Sequence, residues 1–497
     1  MPSLYSKNNI ALQRCLTKAS LSALIALAAA VALACGGDGQ PTATPSPAPS
    51  PTAAPVPTLA VPTSTPEPWT PTPEVQGSGS RDEGTVVSVG PEPTATPVPT
   101  VSARVDPADA QRLSQQAMQQ LTTLTSARSP RESATQQEAD AARYLFEQFT
   151  ILGYAPALQE FTVDVLLTDP PVLDVPSLDV TSTGAYPLTL SAQGRATGVL
   201  ADAGKAFEED FEGVAVEGRI ALIERGGLTF EEKVLRAEER GAIAAIIYNN
   251  DDGAFAGSLR SQAEIPVVSI PREVGLAIIN LMANGDTEAA VSVMYEQRDS
   301  RNVIADKPAS AGAPRGEDAV VVVLGGHFDT VPGVPGANDN GSGIATLLAI
   351  AEEIAGKSYP FTVRFIAFGS EELGLEGSQY YVDNLTEDEL DQLLAMLNFD
   401  ALGTSRVSGI LAADELADVV MRIGGASGIT VERHFELGGG ASDHAPFFAE
   451  GIPFVFFLGD DFSRIHTIED TLEFVRPELM GNAAALAIVL LDELAAR

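Results

Sequence analysis

Two histidines and five acids in the C-terminal half of this 497-residue chain are of the types, and at the spacing, that hold divalent metal ions. His327 and Asp329 open the set in "GGHFDTVPGVPGANDNGSG", residues 325–343, and Asp339 follows in the same stretch. Glu371 and Glu372 are adjacent in "FGSEELG", Asp400 stands in "NFDALG", and His466 in "SRIHTIEDT". Imidazole and carboxylate both suit zinc, and one carboxylate can bridge two ions about 3.5–4 Å apart. The donor count accommodates two zinc ions, with His327 and Asp400 on one, Glu372 and His466 on the other, and Asp339 between them. Each ion then keeps an open position for water and substrate, as catalytic zinc requires. Ligand type alone does not decide which ion each residue serves, and manganese or cobalt would fit the same nitrogen and oxygen donors. Asp329, two residues after His327, is better placed to accept from the imidazole N–H than to ligate. Glu371 remains as general base, taking a proton from the attacking water and passing it to the leaving amine.

Each of these residues follows a run that reads as a buried strand. Ala319 to Leu324 is continuously apolar, which predicts a strand covered on both faces in a mostly parallel sheet. "FTVRFIAF", "MLNF" and "IPFVFF" precede the other candidates in the same way. Open α/β sheets place their sites beyond the carboxyl ends of the strands, so the donors converge on one edge. Gly325 and Gly326 are expected to let the backbone turn sharply there. "GSGIATLLAIAEEIAGK" reads as an amphipathic helix with Asp339 just ahead of it. A lone histidine beside apolar residues is more often a satisfied core residue; the repetition at one edge argues against that reading here.

Helical spacing begins near Asp106, in "DAQRLSQQAMQQLTTL" and "TQQEADAARYLFEQFTILGY", and Gly153 closes the second. Between Gly194 and Ala290, short apolar runs alternate with turns, as in "GRIALIERG", "AAIIYNN" and "IPVVSI", around the amphipathic "TFEEKVLRAEERGA". This pattern resembles the protease-associated (PA) domain, a smaller β-rich unit without catalytic residues of its own. Ahead of the folded part, residues 36–103 are built largely of Pro, Thr, Ala and Ser and read as an extended stalk. The start, "MPSLYSKNNIALQRCLTK" followed by "ASLSALIALAAAVALAC", is a basic, apolar, small-residue export signal. It resembles a bacterial lipoprotein signal cleaved before Cys35, which would be lipidated. The alternative is plain secretion after Ala34. The expected division is 1–35 signal, 36–103 stalk, 104–185 with 300–497 catalytic domain, and 186–299 PA insert.

Lys+Arg number 30 against 67 Asp+Glu, a formal charge of −37. With no basic stripe to neutralise phosphates, nucleic acid is excluded as a partner. Ala19 to Ala34 is shorter than the about 20 apolar residues of a membrane span, so the expected membrane contact is through the lipid anchor only.

His-x-Asp, Asp, Glu-Glu, Asp and His, in this order and setting, resemble the co-catalytic zinc aminopeptidases of metallopeptidase family twenty-eight, which frequently carry a PA insert. The resemblance covers most of the chain from Asp106 onward. It implies an α/β fold with a mostly parallel mixed sheet flanked by helices. It also implies metal ligands His327, Asp339, Glu372, Asp400 and His466, general base Glu371 and supporting Asp329. "GGGASDHAPFF", residues 438–448, is similar to the family's S-D-H segment. That implies a place near the substrate pocket or behind the ligands for Ser442, Asp443 and His444, beside a structural role for the last two. Some members have Tyr before the final His, where this chain has Ile465. Related di-zinc carboxypeptidases and deacylases insert a lid domain between the fourth and fifth ligands, for which Asp400 to His466 is too short. The expected activity is therefore an exported exopeptidase removing N-terminal residues from peptides with a free N-terminus, using water activated by two zinc ions. A related carboxypeptidase or deacylase, or a catalytically silent binding ectodomain, is the alternative.

Overall fold

The computed structural model describes residues 103–178, 183–255, 257–412, 414–434 and 441–496. The signal, Cys35 and nearly all of the stalk lie outside the described residues. Helix α1 (Pro107–Arg128) starts where Asp106 accepts from the Ala108 amide and Pro107 needs no N–H partner. Helix α2 (Gln136–Ile151) is capped by Thr135, which accepts from the Glu138 amide. Gly153, with φ +88°, ends it as expected. Strand β1 (Ala157–Leu166) follows. The chain then builds β2 (Leu173–Asp174), β3 (Tyr186–Pro187), β4 (Gly194–Asp202), β5 (Ile220–Glu224), α3 (Phe230–Glu238), β6 (Ala244–Tyr248), β7 (Val267–Ile270), α4 (Arg272–Met282) and β8 (Glu288–Val293). These seven strands form one sheet in the order β2-β8-β4-β5-β6-β7-β3.

The remaining chain supplies β9 (Tyr295–Lys307), β10 (Val321–His327), α5 (Gly343–Ile354), β11 (Thr362–Phe368), α6 (Glu376–Asp383), α7 (Glu387–Gln392), β12 (Leu393–Phe399), β13 (Ser408–Ala412), α8 (Asp414–Ser427), β14 (Val431–His434), α9 (His444–Ala449), β15 (Phe454–Leu458) and α10 (Pro477–Ala495). With β1 it forms an eight-stranded sheet in the order β1-β9-β11-β10-β12-β15-β13-β14. Its centre is parallel: β10 pairs with β11 and β12, and β12 with β15. The β1–β9, β9–β11 and β13–β15 pairings are antiparallel. Leu166 pairs with Tyr295, so the excursion into the smaller sheet leaves and rejoins at one point. Leu173–Asp174 already pairs with β8, ahead of residue 186, and β9 lies in the larger sheet from Tyr295, ahead of residue 300. Two paired residues carry no periodic pattern, and a polar edge-side strand has no apolar run to announce it.

Strand β10 is buried on both faces. Val322 and Leu324 join the core under α1, α2, α5 and α10, and Val321 and Val323 join the opposite core with Phe368, Tyr381 and Phe447. This explains its unbroken apolar run. Gly325 and Gly326 do not turn the chain; both lie inside β10. A Cβ on Gly326 would sit 2.4 Å from the Phe399 carbonyl oxygen, and one on Gly325 2.6 Å from the Phe368 ring. Close approach of neighbouring strands and side chains, rather than backbone freedom, therefore selects glycine at both positions.

Candidate metal and catalytic site

Because β10, β11, β12 and β15 run parallel, their carboxyl ends share one edge. His327 is the last residue of β10, Glu371 and Glu372 follow β11 after Gly369 and Ser370, and Asp400 follows β12 directly. His466 lies in the loop after β15. Asp339 sits in a widened turn, Ala337–Ser342, where it and Asn340 leave helical geometry just before α5. The Asn340 amide side chain fastens this turn by donating to the Phe399 carbonyl at 2.9 Å, while its oxygen accepts from Gly343 N–H.

The expected donors meet. Asp339 spans the two histidines, one oxygen 3.2 Å from His327 Nε2 and the other 3.1 Å from His466 Nε2. Asp400 Oδ1 is 3.4 Å from His327 Nε2, and Glu372 Oε2 is 3.2 Å from His466 Nε2. Charge-assisted N–H to carboxylate hydrogen bonds run at about 2.7–2.9 Å. Two ligand atoms on a tetrahedral zinc with bonds of about 2.0–2.1 Å lie about 3.3 Å apart. The spacing here matches the second case. Atoms on His327, Asp339 and Glu372 fall within 4.8 Å of one another, and Glu372 Oε1 and Asp400 Oδ1 are buried without a hydrogen-bond partner. Six buried carboxylates, from Asp329, Asp339, Glu372, Asp400, Asp443 and Asp470, face one buried guanidinium, Arg131. Unpaired buried charge is costly, and divalent cations would neutralise the excess. The residues present therefore fit a metal centre of nitrogen and carboxylate donors.

Asp329 ties the ligand loops together. Its carboxylate faces His327 Nδ1 at 3.4 Å and accepts from the amides of Glu371 at 3.0 Å and Glu372 at 3.1 Å, and from Ser133 Oγ. Ser442 Oγ donates to Asp400 Oδ2 at 2.8 Å and itself accepts from Asn398. Asp443 is buried, which pushes its carboxyl up to about 7. His444 stands apart from the donors: its ring packs 4.6 and 4.8 Å from those of Phe454 and Phe456, and burial pulls it down to about 3. That is the environment of a core histidine. Among the described residues, seven non-glycine residues have positive φ; they include Ser370, Ala401 and His466, each on a ligand loop. Such conformations persist where surroundings over-determine them, and they cluster at functional sites.

Two residues carried no signal in the sequence reading. Arg131 is fully buried and donates to the carbonyls of Phe328 at 2.6 Å and Gly336 at 2.8 Å, pinning the ends of the loop that holds Asp329. Burial lowers its pKa to about 10, against the opposing pull of Asp470, Asp329, Asp339 and Glu372. Asp470 accepts from the amides of Asn338 at 2.7 Å and Asp339 at 3.0 Å, fixing the backbone of the residue that spans the two histidines. Its only sequence cue is its place four residues after His466.

Residues 302–491 match Peptidase family M28, and residues 185–278 match the PA domain. The chain is 34% identical over 364 residues to aminopeptidase YwaD of Bacillus subtilis, covering 68% of this chain and 78% of that protein. The chain belongs to peptidase family M28. This M28 peptidase is also 32% identical over 377 residues to a probable leucine aminopeptidase 2 of Aspergillus fumigatus, covering 70% of each chain. Among solved structures it is similar to an aminopeptidase from Aneurinibacillus sp. strain AM-1, with TM-score 0.61 and 29% identity over 78% of this chain and 95% of that one. It is similar as well to a zinc aminopeptidase from Bacillus subtilis, with TM-score 0.62 and 29% identity over 77% and 95%. The PA match falls between the two parts of the larger sheet.

The charges of the M28 site give a first expected result. Burial alone disfavours a charged His466, but the Asp339 and Glu372 carboxylates outweigh it and push the imidazole up to about 11. His327 is raised well above its ordinary value in the same way, with burial opposed by Asp400 and Glu371. The surrounding carboxylates thus favour the charged form of both rings in the metal-free protein, and ligation requires the neutral ring. Zinc uptake at pH 7 should release protons, and apparent affinity should rise with pH. Titration calorimetry in buffers of different ionisation enthalpy measures this, and a heat independent of buffer would contradict it.

Proposed function

We propose that this chain is an exported zinc-dependent aminopeptidase that works with two metal ions held by His327, Asp339, Glu372, Asp400 and His466. The observation that carries this reading is the Asp339 carboxylate lying between two imidazoles, each accompanied by a second acid. Zinc, when bound, lowers the pKa of water and polarises the scissile carbonyl. Glu371 takes a proton from the attacking water at its carboxylate and delivers it to the leaving amine. Burial pushes its carboxyl well above the usual range, the direction that favours a group which must also return the proton. Asp329 holds the amides of Glu371 and Glu372, so base and ligand move as one piece. The surplus of buried carboxylates favours a substrate end that carries a free, charged α-amine.

The PA insert, the stalk of residues 36–103 and a lipidated Cys35 complete the proposal. Support for the last two comes from sequence composition and the signal pattern. Among the described residues no helix is long and apolar enough to cross a membrane.

A mixed peptide panel with free and acetylated N-termini tests the activity. Release of N-terminal residues from free peptides only, abolished by chelator and restored by zinc, is the expected result. Cleavage at acetylated or C-terminal positions would move the protein to a carboxypeptidase or deacylase. Metal binding without any hydrolysis would favour a binding ectodomain. Metal analysis of the same sample should return about two zinc ions per chain.

A further inference from the structure

Four consecutive amides after β11 are captured by side-chain oxygens. Gly369 N–H donates to Asn302 Oδ1 at 3.1 Å, Ser370 N–H to Glu138 Oε1 at 3.0 Å, and the Glu371 and Glu372 amides to Asp329. Asp329 was legible from its motif. Glu138 was not: it lies in the first turn of α2, outside the segment that matches the peptidase family. It is nevertheless fully buried. Its Oε1 also accepts from Ser370 Oγ at 3.0 Å and Ser300 Oγ at 2.8 Å, and its Oε2 accepts from the Ala134 amide at 3.1 Å.

Ser370 and Ala134 both have left-handed backbones, with φ +52° and +54°. Neither is glycine, so each conformation needs an external hold. One carboxylate supplies it to both. Ser370 directly precedes Glu371, and its turn sets the direction in which Glu371 leaves the sheet. Space there is tight: a Cβ on Gly369 would lie 2.6 Å from the Arg301 carbonyl oxygen and 3.0 Å from Glu138 Oε1. The strand end therefore has little room to relax if the carboxylate is removed. On the other side of the same short segment, Ser133 Oγ donates to Asp329, so residues 133–138 grip the Glu371–Glu372 turn from two directions.

We infer that Glu138 is a positioning residue of the peptidase reaction, holding Ser370 in its left-handed conformation and thereby aiming the Glu371 carboxylate at the attacking water. The inference rests on the assignment of Glu371 as general base. The hydrogen bonds of Glu138 go to Ser370, Ser300 and Ala134 and to none of the five candidate ligands, so its main effect is expected on the proton-transfer step. A misplacement of about 1 Å in a catalytic group costs up to about 100-fold in rate.

The test compares Glu138→Leu, which fills the space without an acceptor, with Glu138→Gln, which keeps a carbonyl oxygen for Ser370 and Ser300. With its oxygen on Ser370 and Ser300, Gln turns its NH2 toward the Ala134 amide from which Glu138 Oε2 accepts, so this variant isolates the hold on Ser370. Glu138→Leu should lower kcat roughly 30- to 100-fold with KM within about twofold and zinc content at the wild-type level. Glu138→Gln should recover kcat to within about fivefold of wild type. In a Glu371→Gln background, Glu138→Leu should cost nothing further, because residues acting through one group are not additive. Equal kcat per folded, zinc-loaded molecule in wild type and Glu138→Leu, or an undiminished loss in the double variant, would overturn the inference. If Glu138→Leu does not fold, the Ser300→Ala and Ser370→Ala pair removes two of the contacts and carries the same comparison. If Glu371→Gln alone is fully active, the general-base assignment fails first and separately.

Discussion

Glu371→Gln should lower kcat roughly 100- to 10,000-fold, the range that a positioned general acid–base group contributes, while zinc content and fold stay at wild-type levels. Gln matches Glu in size and leaves the Glu371 amide free to donate to Asp329 as before. What it loses is the carboxylate proposed to take the proton from water and return it to the leaving amine. KM should move little, because the change removes an interaction made in the transition state rather than in binding. Kinetics on a free peptide, with metal analysis of the same sample, measures both quantities. Activity within tenfold of wild type would assign the base elsewhere.

Asp339→Ala should do more damage, and of a different kind. The carboxylate faces both imidazoles at once, so its loss opens both halves of the centre. At their Nε2 atoms the two histidines would keep only Asp400 and Glu372 as partners. Retained zinc should fall to half or less of wild type, and kcat/KM at ambient zinc should drop by more than about 1,000-fold. Asp470→Asn is the matched control. It weakens the acceptor that sets the Asn338 and Asp339 amides but leaves every candidate ligand in place, and supporting residues of this type typically cost about 10- to 100-fold in affinity. Metal content across a chelator-buffered zinc series separates the two variants. Full zinc occupancy in Asp339→Ala would remove the bridging role.

The contrast between Asp329 and Glu138 shows what a single sequence reveals. Both carboxylates hold the same turn through neighbouring amides. Asp329 was found because it stands two residues from His327 at the end of an apolar strand, where spacing and chemistry coincide. Glu138 stands in an ordinary helical first turn, a position at which an acid is expected for capping alone. Arg131 is similar: its sequence neighbourhood marks a loop, and only the folded chain places a guanidinium beneath the Asp329 and Asp339 segments. The glycine pair shows a third case. Gly325 and Gly326 read as a turn in the sequence; the structure assigns them to a strand crowded by Phe368 and Phe399.

Local pattern by itself determined the two opening helices and the central strands and pointed to the seven candidate residues for metal and proton-transfer chemistry, because buried parallel strands write themselves as apolar runs and end at the site edge. The tertiary structure decided which donors are neighbours, with Asp339 between His327 and His466 and with Asp400 and Glu372 on opposite sides. It also separated Ser442, which supports Asp400, from His444, which packs among phenylalanines. Those distinctions depend on contacts between segments tens to hundreds of residues apart. Side-chain type and spacing limit the chemistry a residue can perform, but only the packed backbone determines what stands within 3 Å of it.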